Sequence, residues 1–127
     1  MTLQFKRAIP IFRIYSLEKA REFYLDFLGF QVDWEHRFEP DAPVYMQVSR
    51  DGLAIRLSEH HGDGTPGSIA YVTMSGVKDL HHELNDKKYR HNRPGLQQQE
   101  WGMIELTVTD PFNNRITFGE PSEPSPA

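Results

Sequence analysis

The sequence predicts an α+β fold of two tandem βαβββ modules, and three observations carry that expectation. Segments that alternate apolar and polar residues occur in the order strand, helix, strand, strand, strand, and the order then repeats. Between the two runs lies LSEHHGDGTPG (57–67), whose glycines and proline give it the composition of a loop joining half-domains. The runs also end alike: RDGLAIRLSE (50–59) and DPFNNRITFGE (110–120) each read as a turn and then a strand, closing on Glu59 and Glu120.

In the first module, Ala8 to Ile14 (AIPIFRI) is rich in β-formers. Ser16 follows as an N-cap, with Glu18 in the first turn where the helix dipole favours an acid. Leu17, Ala20, Tyr24, Phe27 and Leu28 recur at three- and four-residue steps, and Gly29 stands where a left-handed residue would stop the helix. QVDWEHRF (31–38), VYMQVSR (44–50) and LAIRLS (53–58) alternate as strands, with Asp51-Gly52 as the hairpin turn between the last two. In the second module SIAYVTM (68–74) is a strand, and Val77, Leu80 and Leu84 mark a helix. YRHNRP (89–94) reads as a short strand or extended piece, and WGMIELTVT (101–109) and NRITF (114–118) as strands. One domain over 1–120 is expected, with modules at about 8–60 and 67–120. PSEPSPA (121–127) is too polar and proline-rich to pack and reads as a disordered tail.

A chain of 127 residues, 38% hydrophobic, suffices for a single modest core. Its net charge of −4 gives no basic footprint for phosphate, so nucleic acid is not an expected partner. With no cysteine, disulfides, thiolate metal sites and cysteine nucleophiles are excluded. MTLQFKRAIPIF lacks the apolar run of a signal peptide, and no later stretch approaches the ~20 apolar residues of a membrane span, so a soluble cytoplasmic protein is expected.

AIPIFRIYSLEKAREFYLDFLGF, with Phe23-Tyr24 and the Leu28-Gly29-Phe30 ending, followed at the far end by TDPFNNRITF, resembles the glyoxalase/bleomycin-resistance/dioxygenase (vicinal oxygen chelate) superfamily. Within it the similarity is greatest to bleomycin-resistance-like proteins, and it covers about residues 8–120. The resemblance implies βαβββ modules whose strands form an incomplete barrel around a cavity, in a homodimer with cavities at or near the subunit contact. Metal-dependent members hold a divalent ion with His, Gln or Glu on the first and last strand of each module. The corresponding positions here are Ile9, Arg56, Ser68 and Thr117. None supplies an imidazole or carboxylate, one is a permanent cation, and their sequence neighbours offer no ligand either. No metal and no other cofactor is expected.

His60 and His61 are adjacent, so in regular structure they point to opposite faces and cannot chelate one ion, although a loop could turn both inward with Glu59 or Asp63. A solvated or loop-pinning pair is the expected reading, and His81-His82 fall mid-helix with a packing role. By strand parity Trp34, His36 and Phe38 share one face, opposite Asp33, Glu35 and Arg37. Trp34 and Phe38 could then be core with the charges solvated, or Trp34 and His36 could face a ligand.

If Arg56 and Thr117 face the cavity, parity adds Ala54, Ser58, Glu105, Thr107 and Arg115, and leaves Ile55, Leu57, Ile104, Leu106, Ile116 and Phe118 under the helices. With Trp34 and Trp101 flanking it, such a cavity suits a planar, polar or cationic small molecule. The competing reading has Arg56 and Glu105 as a structural ion pair and Trp101 as a packing residue. No nucleophile elbow, phosphate loop or Rossmann fingerprint is visible, and the only acid/base pair suggested is His36 with Glu105. The expectation is a metal-free, antibiotic-sequestering binding protein of the bleomycin-resistance type. Its ligand-binding residues would be Trp34, His36, Arg56, Trp101, Glu105 and Thr117. Its partners would be a bleomycin-type glycopeptide or another small molecule and a second copy of the chain, with no membrane. The alternatives are a metal-dependent lyase, isomerase or dioxygenase with displaced ligands such as Glu59, His60 or His36, and an interaction module with a vestigial cavity.

Overall fold

A computed structural model describes residues 2–122. Strand β1 (Ile11–Arg13) leads into helix α1 (Leu17–Arg21), capped by the Ser16 hydroxyl, which accepts from the Lys19 N–H at 3.2 Å. The chain then winds more widely, as a π-helical stretch over Glu22–Phe27 in which the Leu28 N–H reaches back to the Phe23 carbonyl. Phe23, Tyr24, Phe27 and Leu28 are all buried there. The sequence predicts one regular helix over this span, because apolar spacing of three and four residues does not distinguish the two windings. Gly29, at φ +75, ends it as expected.

Strands β2 (Gln31–His36), β3 (Tyr45–Arg50) and β4 (Leu53–Ser58) complete the first module. Asp51 and Gly52 have φ of 50 and 81, the two left-handed residues of a tight hairpin. The sheet order is β1-β4-β3-β2, with β1 parallel to β4. The second module repeats this with β5 (Ile69–Thr73), helix α2 (Val77–Asp86), β6 (Leu96–Gln98), β7 (Met103–Thr109) and β8 (Arg115–Pro121), ordered β5-β8-β7-β6. The two four-stranded sheets remain separate and close no barrel among the described residues.

Two expectations shift. YRHNRP forms no strand: Pro94 has no N–H for a ladder, and the Pro94 and Thr109 carbonyls accept instead from the side chains of Asn85 and Asn92. Pairing begins at Leu96. Pro121, expected to open a tail, is paired with Met103 at the end of β8, and residues 123–127 of that tail lie outside the described residues.

The sheets and helices share one core, in which Phe12, Ile55 and Leu57 of the first module join Leu84, Leu106 and Ile116 of the second. Polar ties cross between the modules. The Tyr24 hydroxyl donates to Asp110 at 2.7 Å; Asp110 also accepts from the backbone of Phe112 and Asn114, and the Asn114 amide donates to the Arg13 carbonyl. Burial, then the Asp110 charge and hydrogen bond, push the Tyr24 hydroxyl well above its usual range, so it stays a donor. Arg50 reaches Glu83 through two bonds of 2.8 Å. Lys87 donates to the Asp26 and Phe27 carbonyls at the end of the first helical segment. Among the described residues no helix is long and apolar enough to cross a membrane.

Candidate functional site

Each sheet packs one face on the core and leaves the other open, as parity predicts: Ile55, Leu57, Leu106, Ile116 and Phe118 are buried, while the opposite pleat carries polar and aromatic groups. On the first sheet Ile11, Arg56 and Gln47 lie across from one another in register. The β2–β3 register shifts between Val32 and Trp34, which puts Asp33 and Trp34 on the same open face. Asp33 accepts from Gln47 at 2.9 Å and Ser49 at 2.7 Å, and those donors, Gln47 first, hold its carboxyl below the usual range. Arg56 donates to Gln47 at 3.1 Å and to the Tyr45 hydroxyl at 3.3 Å, with its guanidinium 5.2 Å from the centre of the Trp34 ring.

This bulge corrects the parity reading of residues 31–38, in which Asp33 opposed Trp34. The packing alternative also fails, because Trp34 is 37% and Phe38 73% exposed. Glu35 does take the helix side, where it pairs with Arg21. His36 is exposed and lies edge-on to Phe38 at 4.6 Å, and Phe38 meets His60 at 5.8 Å.

On the second sheet Tyr71, Thr117 and Thr107 are in register, and the two threonine hydroxyls are 2.9 Å apart. Glu105, only 7% exposed, is the centre of the face: it accepts from the Tyr71 hydroxyl at 2.8 Å, Gln99 at 3.2 Å and the Trp101 indole at 3.4 Å. Tyr71 reaches Glu105 across Gly119, where any Cβ would collide with the phenol. The hydrogen bond to Glu105 is the main reason the Tyr71 hydroxyl titrates above its usual range. Trp101 is 66% exposed, so it presents a ring face to solvent rather than serving as a packing residue.

The structure therefore brings Trp34 to Arg56, and Trp101 to Glu105, but on different sheets. Arg56 and Glu105 form no ion pair; each is satisfied by its own neighbours. His36 and Glu105 likewise stand on different sheets with no hydrogen bond between them. Tyr45, Gln47, Tyr71 and Gln99 are not among the ligand-binding residues the sequence predicts, and parity puts Asp33 on the other face, because strand register and a bulge bring them in. The cavities of about 410 and 370 Å³ are lined by other residues.

The four superfamily metal positions do not suit a metal. Ile9 precedes β1, and Ser68 precedes β5 with its hydroxyl given to the Thr65 carbonyl. Arg56 is committed to Gln47, and Thr117 contacts Thr107. The LSEHHGDG stretch is a self-bonded turn: Ser58 donates to Asp63 at 2.9 Å and accepts from the His60 N–H at 3.0 Å, while Glu59 accepts from Val44 N–H at 3.1 Å. Among the described residues no three His, Asp or Glu converge as a metal site.

A sequence model of the family described as Glyoxalase superfamily protein matches residues 1–124. The chain belongs to the glyoxalase superfamily. A bleomycin resistance protein of Geobacillus stearothermophilus is 23% identical over 126 residues, covering 88% of this chain and 94% of the relative. The crystal structure of a bleomycin-binding protein complexed with bleomycin superposes with a TM-score of 0.70 at 16% identity, over 91% of this chain and 98% of the other. A superfamily member from Sphaerobacter thermophilus gives 0.68 at 16% identity, over 93% and 99%. These superpositions establish that the two-module fold of this chain is that of its superfamily.

Proposed function

We propose that this member of the glyoxalase superfamily is a small-molecule-binding protein of the bleomycin-resistance type, which protects by sequestering its ligand without altering it. The observation that carries the reading is the Glu105 cluster: a carboxylate held in place by three donors, beside an exposed indole. A carboxylate offers about four acceptor directions, so one remains for a cationic or hydrogen-bonding ligand that stacks on Trp101. The Arg56–Trp34–Tyr45 cluster supplies a second flat surface with a fixed cation. The names of the relatives, bleomycin resistance and bleomycin-binding proteins, point to the same ligand class.

Neither face encloses a ligand by itself, and Ile11, Ile69 and Tyr71 are 39%, 60% and 50% exposed on them. A second copy of the chain laid over these faces would turn open surfaces into clefts, so the functional unit in this reading is a homodimer acting in the cytoplasm. Tryptophan fluorescence titration with bleomycin, combined with sedimentation of the free protein, tests both parts. Saturable quenching that Trp101→Phe removes supports the reading, and no quenching at high micromolar drug overturns it. Metal analysis of the purified protein separates this function from a metal-dependent lyase, isomerase or dioxygenase with displaced ligands such as Glu59, His60 or His36; of these, Glu59 is bonded to the Val44 backbone.

A further inference from the structure

The larger cavity, about 410 Å³, lies away from both open faces, in the seam between the β3–β4 hairpin of the first module and α2 of the second. Its volume falls within the ~300–1,000 Å³ of ordinary small-molecule sites. The floor is apolar and draws on both modules: Leu28, Phe30 and Leu53 face Val72, Leu80 and Phe118. Leu28, Phe30 and Phe118 are buried, whereas Leu53, Val72 and Leu80 are only partly so, which leaves apolar side-chain surface accessible within the crevice. One wall is the Arg50–Glu83 pair, fixed by two bonds of 2.8 Å, with Arg50 also donating to the Leu28 carbonyl at 2.8 Å. The pair ties the two modules across the seam, and Glu83 also has the Lys87 ammonium at 3.9 Å, so its charge is compensated.

The remaining charges at the cavity are Asp51, in the hairpin turn, and Asp79, in the first turn of α2. Both are exposed, and neither takes part in an ion pair among the described residues. They come from opposite modules and line the same cavity as the apolar floor, in a protein of net charge −4. An anion would meet two carboxylates there, and a neutral apolar molecule would leave them unused.

We infer that this seam is a second ligand site, separate from the open-face clusters, and that it takes an organic amine: an aromatic or aliphatic body on the Leu53–Val72–Leu80 floor and an ammonium between Asp51 and Asp79. Because its walls come from different modules, a molecule seated there also bridges them.

The test is methyl NMR of the full-length protein, following Leu53, Val72 and Leu80, titrated with 1-naphthylmethylamine and in parallel with 1-naphthylmethanol and 1-naphthoate. Saturable shifts of these methyls are expected with the amine, several-fold weaker ones with the alcohol, and none with the carboxylate. Asp51→Asn together with Asp79→Asn should weaken amine binding about fivefold, in line with the modest strength of exposed charge pairs. Asn keeps the shape of both sites and tolerates the positive φ of Asp51. Trp101→Phe should leave the seam shifts unchanged. Equal binding of amine and alcohol, no loss in the double Asn variant, or shifts confined to the Trp101 face would each overturn the inference. A failure of bleomycin to bind would bear only on the open faces, because these shifts are read at the seam.

Discussion

The open face of the first sheet centres on a guanidinium and that of the second on a carboxylate, although the two modules share strand order and connectivity. Arg56 is spread against Trp34 and Tyr45 and has hydrogen bonds to Gln47 and Tyr45. Glu105 is instead buried and held by donors from three directions. The modules also differ in their turns. Asp51-Gly52 is a two-residue hairpin turn with open space around Gly52, whereas the Asp110–Asn114 turn buries Asp110, Phe112 and Asn114 and is bonded to the helical segment and first strand of the other module. One topology thus carries a face centred on a guanidinium with a solvated turn and a face centred on a carboxylate with a structural turn. The difference lies in side chains on a common ladder.

The strongest way to break this comparison is at the turns. Asp110→Ala leaves the Phe112 and Asn114 N–H groups and the Tyr24 hydroxyl without their acceptor, and should cost about 2–4 kcal/mol in urea unfolding. Asp51→Ala, at an exposed position, should cost well under half of that; equal losses would mean that the turns are energetically alike.

The faces come next. If the second face is the cation-binding one, Glu105→Ala should weaken bleomycin binding about tenfold or more, and Arg56→Ala only about threefold, as measured by fluorescence titration. The reverse order would transfer the leading role to the first sheet.

Gly119→Ala sharpens the account of how Glu105 is held. The added Cβ displaces the Tyr71 phenol, so the Tyr71 hydroxyl should fall back towards its ordinary titration range. Ultraviolet difference titration against a Tyr71→Phe control reads this directly, with overall stability little changed because Tyr71 is half exposed.

The smallest effect belongs to the seam. Arg50, by hydrogen bond and then charge, holds the Glu83 carboxyl below the usual range. A depressed carboxylate stabilises the fold above its ordinary pKa and loses that contribution as pH falls through the folded value. Glu83→Gln should therefore cost ~0.5 kcal/mol near neutral pH, discounted because the pair is about one-third exposed, and nothing once the pH is acid enough to protonate Glu83 in the folded protein. A loss that persists in acid would assign the effect to packing.

Local patterning by itself determined the two-module strand–helix order, the positions of both helical segments, the hairpin at Asp51-Gly52, the Ser16 cap and the core and open faces of β7 and β8. These follow from periodicity and from residues whose backbone preferences act over a few positions. It also determined that the four superfamily metal positions carry no imidazole or carboxylate. Three features were decided only in three dimensions. The β2 bulge moved Asp33 beside Trp34, because one inserted residue reverses a parity argument. Register brought Tyr71 over Gly119 to Glu105, across 34 positions of chain. The separation of Arg56 from Glu105 follows from which strands pair, and pairing between distant segments leaves no trace in the spacing of either one.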